Sequence, residues 1–249
     1  MAPILRFKEI QDEAFGRFWV NLSVPPNETD KQIVPELVGS STLIPPLLAN
    51  CRGVVLDIGP GTGSQMPFFV PPAADISEIY GAEPCMGLHA QLQKRAVSNG
   101  LEAKYHMVPA SVEKDELLSV LQRQGVQLDK EGIFDTIVCV RVLCSVPDPV
   151  RTIADLYSLL RPGGQMLVVE HVANRFDTGR GSWLARFMQT VYMWMGYSFF
   201  VGNCRLDRDT MAYLCSAADH DGGWEKVDLQ RNFTWSTMPY ISGALVKRG

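Results

Sequence analysis

The run Val54-Val55-Leu56-Asp57-Ile58-Gly59-Pro60-Gly61-Thr62-Gly63 constrains this chain more than any other stretch. Its first five residues, four of them apolar and three β-branched, predict a strand covered on both faces, because a one-sided strand would alternate with polar residues. Three glycines at every second position then predict a bend whose backbone takes positive φ and lies close against a bound group. A strand that empties into such a bend opens a doubly wound sheet, in which ligands sit beyond the carboxyl ends of the strands.

The rest of the chain repeats the theme. Short apolar runs at 79–82, 103–108, 133–140 and 165–170 predict four more strands, and helical patterns at 85–98, 112–124 and 147–160 lie between them. Residues 224–235 and 236–246 predict two neighbouring strands with no helix between, hence an antiparallel C-terminal hairpin. The predicted class is α/β: a doubly wound, seven-stranded, mostly parallel sheet with helices on both faces. Helical spacing at 9–20 and 34–50, the second broken at Pro45-Pro46, predicts N-terminal helices over the site.

Composition narrows the partners. With 46% hydrophobic and 20% charged residues the chain fills one core, and its net charge of −4 with no lysine or arginine run excludes nucleic acid as a partner. Six cysteines without a C-x-x-C predict neither a zinc site nor a disulfide framework, so no metal is expected. The first nine residues break their apolar stretch with charges, which argues against a signal peptide. Arg186 and Gln189 interrupt 183–202, the one stretch of membrane length, so no span and a cytoplasmic location are expected.

Spacing and charge select the ligand. A dinucleotide turn G-x-G-x-x-G would put its third glycine at 64, which is Ser64, and a P-loop would need a lysine that this turn does not have. Asp57 ahead of the glycines repels a pyrophosphate and attracts an ammonium or sulfonium. Glu83 closes the second strand 20 residues after Gly63, where an acid accepts both hydroxyls of a ribose. Adenosyl, amino acid and positive charge together describe S-adenosylmethionine. The competing explanations are that Asp57 caps a helix and that Glu83 is a solvated strand end.

Asp57-x-Gly59-x-Gly61-x-Gly63, Glu83, Phe134-Asp135 and Leu160-Arg161-Pro162-Gly163-Gly164 together resemble the class I S-adenosylmethionine-dependent methyltransferases, Rossmann-like in fold, over about residues 50–172. Val142-Leu143-Cys144-Ser145-Val146, Glu170-His171-Val172 and Gly202-Asn203-Cys204-Arg205-Leu206 bring the chain nearest to the alkyl thiol methyltransferases of that class. The resemblance implies that Asp57 and Gly59, Gly61, Thr62 and Gly63 hold the methionine moiety, that Glu83 holds the ribose, and that Met86 packs on the adenine, although a methionine there also suits a core. It further implies that Ser111 reaches the adenine amino group and that Cys139, Val140 and Arg141 line the sulfonium.

For the acceptor, His171 at the carboxyl end of the fifth strand is the candidate base, a role weighed evenly against a histidine satisfied by backbone or by Glu170. Aromatics crowd the insert at 173–206, between a cofactor-binding core at 51–172 and a last helix and hairpin at 207–249. Trp183 and Trp194, with Gln189, Asn203 and Cys204 as polar contacts, are expected to line a pocket for a small apolar acceptor. Cys204 is expected to pack rather than react, since no basic partner can be located from sequence. A hydroxyl acceptor is favoured over a thiol, because the family's N-terminal membrane-anchoring segment has no counterpart here. A nicotinamide-dependent oxidoreductase and a cofactor-binding protein that transfers no methyl are the rival readings.

Overall fold

In the computed structural model, which describes residues 37–249 apart from 130, 177, 178 and 180, seven strands form one sheet. They are β1 (Gly53–Ile58), β2 (Ile76–Ala82), β3 (Tyr105–Val108), β4 (Phe134–Val140), β5 (Leu160–His171), β6 (Lys226–Asn232) and β7 (Tyr240–Val246), in the order β3-β2-β1-β4-β5-β7-β6. The first five run parallel to one another, and β7 lies antiparallel to both β5 and β6. This is the doubly wound sheet with an antiparallel C-terminal pair that the pattern predicts. Strand order reverses between β1 and β4, so their outgoing connections diverge and open a crevice at the carboxyl ends.

Helices cover both faces: α1 (Ile44–Leu48), α2 (Met86–Ser98), α3 (Lys114–Arg123), α4 (Pro149–Leu159), α5 (Trp183–Trp194), α6 (Tyr197–Phe200) and α7 (Thr210–Ser216). Leu56, Ile58, Ile137, Cys139, Met166 and Val168 pack with Leu117 and Leu121 of α3 and Ile153 and Leu156 of α4. The alternate residues Val55, Val138, Val140, Leu167 and Val169 join Leu47 and Leu48 of α1 and Leu92 and Ala96 of α2. Each fully buried aliphatic side chain contributes about 1.5–3 kcal/mol, so two-sided burial explains why the central strands are continuously apolar.

Two elements differ from expectation. Pro45-Pro46 opens α1 instead of breaking a helix, because the first turn leaves its N–H groups without partners and loses nothing when proline supplies none. The segment Leu160-Arg161-Pro162-Gly163-Gly164 belongs to β5, where the register jumps from Phe134↔Leu160 to Thr136↔Gln165 and Gly163 takes a φ of 73°. Within that bulge Arg161 Nη1 donates to Asp135 Oδ2 at 2.7 Å, and the same oxygen accepts the Val54 N–H at 2.7 Å. The motif therefore ties β1, β4 and β5 together at the end away from the crevice. The helix expected at 9–20 lies outside the described residues. Across 183–202 the chain forms α5, a turn at Gly196 (φ 87°) and α6, and among the described residues no helix is long and apolar enough to cross a membrane.

Candidate active site

The bend after β1 is built from its three glycines, with φ of 56°, 61° and 79° at Gly59, Gly61 and Gly63. Such angles cost an L-residue roughly 1–2 kcal/mol, and space excludes a side chain as well. A Cβ on Gly59 would lie 2.5 Å from Val142 Cγ2, and one on Gly63 would lie 2.9 Å from Leu92 Cδ1. Beneath the bend Asp57 is 1% exposed; Gln65 Nε2 donates to its Oδ1 at 3.1 Å and the Tyr105 hydroxyl to its Oδ2 at 2.9 Å. Burial pushes its carboxyl up to about 7, against the lowering effect of those two hydrogen bonds. Asp57 thus underlies the bend, held by Gln65 and Tyr105. Thr62 is 1% exposed, and its hydroxyl has no partner among the described residues.

Glu83 directly follows β2, with both carboxylate oxygens oriented. Oε2 accepts the Gly61 N–H at 2.9 Å and Oε1 the Cys85 N–H at 2.8 Å, leaving one lone pair on each oxygen. Burial raises its pKa, and the two backbone bonds oppose that rise. Met86, the first residue of α2, is 66% exposed, which removes the core-filling explanation for it. The Ser111 hydroxyl donates to Glu116 Oε2 and accepts the Glu113 N–H, so it caps the approach to α3.

Val140 is buried at the end of β4, and Arg141 leaves the strand in the left-handed region with a φ of 57°. Its Nη2 donates to Ser40 Oγ and Ser41 Oγ, each at 2.9 Å, and its guanidinium carbon lies 6.0 Å from the centre of the Tyr240 ring. Non-glycine residues held at positive φ mark places where the surroundings enforce a geometry. Here the enforced geometry pins the short 3₁₀ turn Gly39–Leu43 across the crevice.

Next to it, Glu170 is fully buried and its Oε1 accepts the Val142 and Leu143 N–H groups at 2.7 and 2.9 Å. Burial, reinforced by Cys144, pushes its carboxyl up to about 8. His171, 2% exposed, lies with Nε2 2.9 Å from Cys204 Sγ, while Nδ1 has no partner among the described residues. Cys144 Sγ reaches the same place, so one ligand atom each from Cys144, His171 and Cys204 lie within 4.8 Å of one another. Sequence alone located no basic partner for Cys204; the fold supplies one.

The other expected acceptor contacts separate. Gln189 is fully buried, but its amide accepts the Asn174 N–H and donates to the Val172 and Thr237 carbonyls, which stitches the insert to the sheet. Trp183 and Trp194 are 70% and 87% exposed, and Asn203 is an exposed residue at φ 61°. Sequence reasoning also passed over Gln65 and Tyr105, whose roles depend on pairing at separations of 8 and 48 residues. The only local signal was that Gln65 lies two residues past the last glycine of the bend.

A family model described as a methyltransferase domain matches residues 36–221. The human protein named thiol S-methyltransferase TMT1B is 25% identical over 203 residues, covering 80% of this chain and 72% of its own. Among solved structures, the [4+2]-cyclase SpnF superimposes with a TM-score of 0.57 at 16% identity, over 84% of this chain and 82% of the other. The N-methyltransferase NodS of Bradyrhizobium japonicum WM9, solved with S-adenosyl-L-homocysteine, gives 0.56 at 11% identity over 96% and 99%. At such identities the structural likeness establishes the fold.

Proposed function

The chain belongs to the methyltransferase domain family, and on that footing we propose that it methylates the sulfur of a small apolar thiol. S-adenosylmethionine is the methyl donor and supplies an electrophilic methyl group on a sulfonium. The residues present fit it. Gly59 and Gly63 keep open a backbone cradle that a Cβ would fill, and the Thr62 hydroxyl is buried without a partner. Asp57 offers a buried carboxyl below, whose charged form a bound sulfonium would favour, and each Glu83 oxygen keeps a lone pair for a ribose hydroxyl. Met86, exposed at the start of α2, would cover the adenine.

The acceptor reading is carried by His171: a buried imidazole at the carboxyl end of β5 whose Nδ1 has no partner among the described residues. Cys204 engages the other ring nitrogen, so either tautomer leaves Nδ1 one hydrogen bond for the acceptor heteroatom. Arg141, through Ser40 and Ser41, would hold the 3₁₀ turn as a roof that excludes water. Alignment in a dry site can supply effective molarities of roughly 10⁵–10⁸ M, more than a general base contributes. Sulfur is preferred because the relative matched over most of the chain is named a thiol S-methyltransferase.

The test is mass spectrometry of alkyl thiols and hydroxylated aromatics incubated with the protein and methyl-labelled donor. Labelled thioethers are expected. Labelled ethers alone would move the acceptor to the hydroxyl favoured by sequence. S-adenosylhomocysteine binding with no labelled product in either class would instead support a cofactor-binding protein that transfers no methyl, a reading kept open by the fold likeness to a [4+2]-cyclase.

A further inference from the structure

We infer that Cys144, His171 and Cys204 form a binding site for one thiophilic divalent cation, zinc foremost, with an open fourth position that takes a thiol. The three residues come from separate parts of the fold: the turn after β4, the end of β5 and the loop after α6. They are 2%, 2% and 6% exposed, and their ligand atoms lie within 4.8 Å of one another, with His171 Nε2 and Cys204 Sγ 2.9 Å apart. Tetrahedral zinc with bonds of about 2.0–2.3 Å needs such donors about 3.6–3.8 Å apart, so side-chain adjustments of under about an ångström complete the set.

The surroundings suit an ion. Two thiolates neutralise a divalent charge, so the loaded site buries no net charge, which an apolar interior penalises. The hydrogen bonds present are soft or adjustable: Ser145 Oγ lies 3.5 Å and the Arg141 carbonyl 3.7 Å from Cys144 Sγ, and the Tyr197 hydroxyl bonds Cys204. Glu170, adjacent in the chain, carries an oxygen with no partner among the described residues. Two cysteines, one histidine and a vacant fourth position are the composition of catalytic rather than structural zinc sites. Sulfur ligands select zinc or copper(I) over magnesium or calcium. With Nε2 on an ion, Nδ1 would carry the ring N–H and point away from it, free to donate to a group outside the ligand set. That the occupant of the fourth position is the acceptor thiol rests on the function proposed above; the ion site itself does not.

The experiment uses the full chain, stripped with a chelator under reducing conditions and titrated with Co²⁺. Expected are one Co²⁺ per chain, thiolate-to-cobalt charge-transfer bands, and their loss on adding Zn²⁺. Cys144→Ser and Cys204→Ser should each weaken uptake at least about tenfold, while Cys51→Ser and Cys215→Ser leave it unchanged. Calorimetric binding of S-adenosylhomocysteine shows that each variant is folded. If a variant does not fold, alkylation of the wild type decides: Zn²⁺ should protect Cys144 and Cys204 but not the exposed Cys215. Absence of charge-transfer bands, equal alkylation with and without Zn²⁺, or a Cys144–Cys204 disulfide formed in air with no metal uptake overturns the inference. Metal uptake with no methylated product would refute only the methyl-transfer reading.

Discussion

The Tyr105 hydroxyl on β3 reaches past β2 to the Asp57 carboxylate on β1 at 2.9 Å, and it passes where Gly81 carries no side chain. Gly81 pairs with Asp57 in the sheet, and a Cβ there would overlap the phenol. A strand glycine normally weakens a sheet; this one opens a channel for a buried hydrogen bond to the acid beneath the cofactor bend.

That relationship gives a graded stability test. Tyr105→Phe removes one buried bond to a carboxylate and should cost about 1–3 kcal/mol in urea unfolding. Gly81→Ala forces the ring aside and should cost at least as much. Adding Tyr105→Phe to Gly81→Ala should recover part of that loss, because the phenol oxygen is the nearest clash. Full additivity of the two would show that they do not share this channel.

Asp57 makes stability and donor binding respond oppositely to pH. Its folded carboxyl sits at about 7, above the unfolded value of about 3.9. Below both values the acid is protonated in either state and folding bears no penalty. As pH rises from about 4 to 7 the unfolded chain loses this proton first, so the contribution to stability declines across that window. Scanning calorimetry should therefore find Asp57→Asn ahead of wild type by more at pH 8 than at pH 5. Its affinity for S-adenosylmethionine at pH 8 should fall by about tenfold or more, since the variant lacks the charge facing a cation.

Gln189 separates a clamp from a substrate contact. Replacement by leucine keeps the volume but strands the Asn174 N–H and the Val172 and Thr237 carbonyls, for an expected loss of about 2–4 kcal/mol. Thermal denaturation should show the loss, with little change in acceptor KM among molecules that remain folded. A raised KM at unchanged Tm would return Gln189 to the acceptor pocket.

Arg141→Ala, or Ser40→Ala with Ser41→Ala, should release the 3₁₀ turn over the crevice. Acceptor KM is expected to rise about tenfold, with S-adenosylhomocysteine affinity changed less than about twofold. A matched loss in both would mean that the guanidinium serves the donor site directly.

The sheet was legible because its causes are local. Unbroken apolar runs need two covered faces, and glycine at alternate positions allows a bend that other residues resist. The proline pair was misread because the same residue breaks a helix interior and opens a helix start, and only packing of Ile44, Leu47 and Leu48 against the sheet settles which applies. The aromatic insert shows a related limit: periodicity marks a helix, but it does not say that Trp183 and Trp194 are 70% and 87% exposed.

By itself the sequence determined a doubly wound sheet, the position of its crevice, and an acid followed by a bare-backbone bend suited to a cationic nucleoside. Tertiary structure alone decided that Tyr105 and Gln65 hold that acid, that Gln189 fastens the insert, and that Cys144, His171 and Cys204 meet. Backbone geometry and burial on two faces leave periodic marks along a chain. Contacts between side chains 27, 33 or 48 residues apart leave none, because they depend on how finished strands are ordered beside one another.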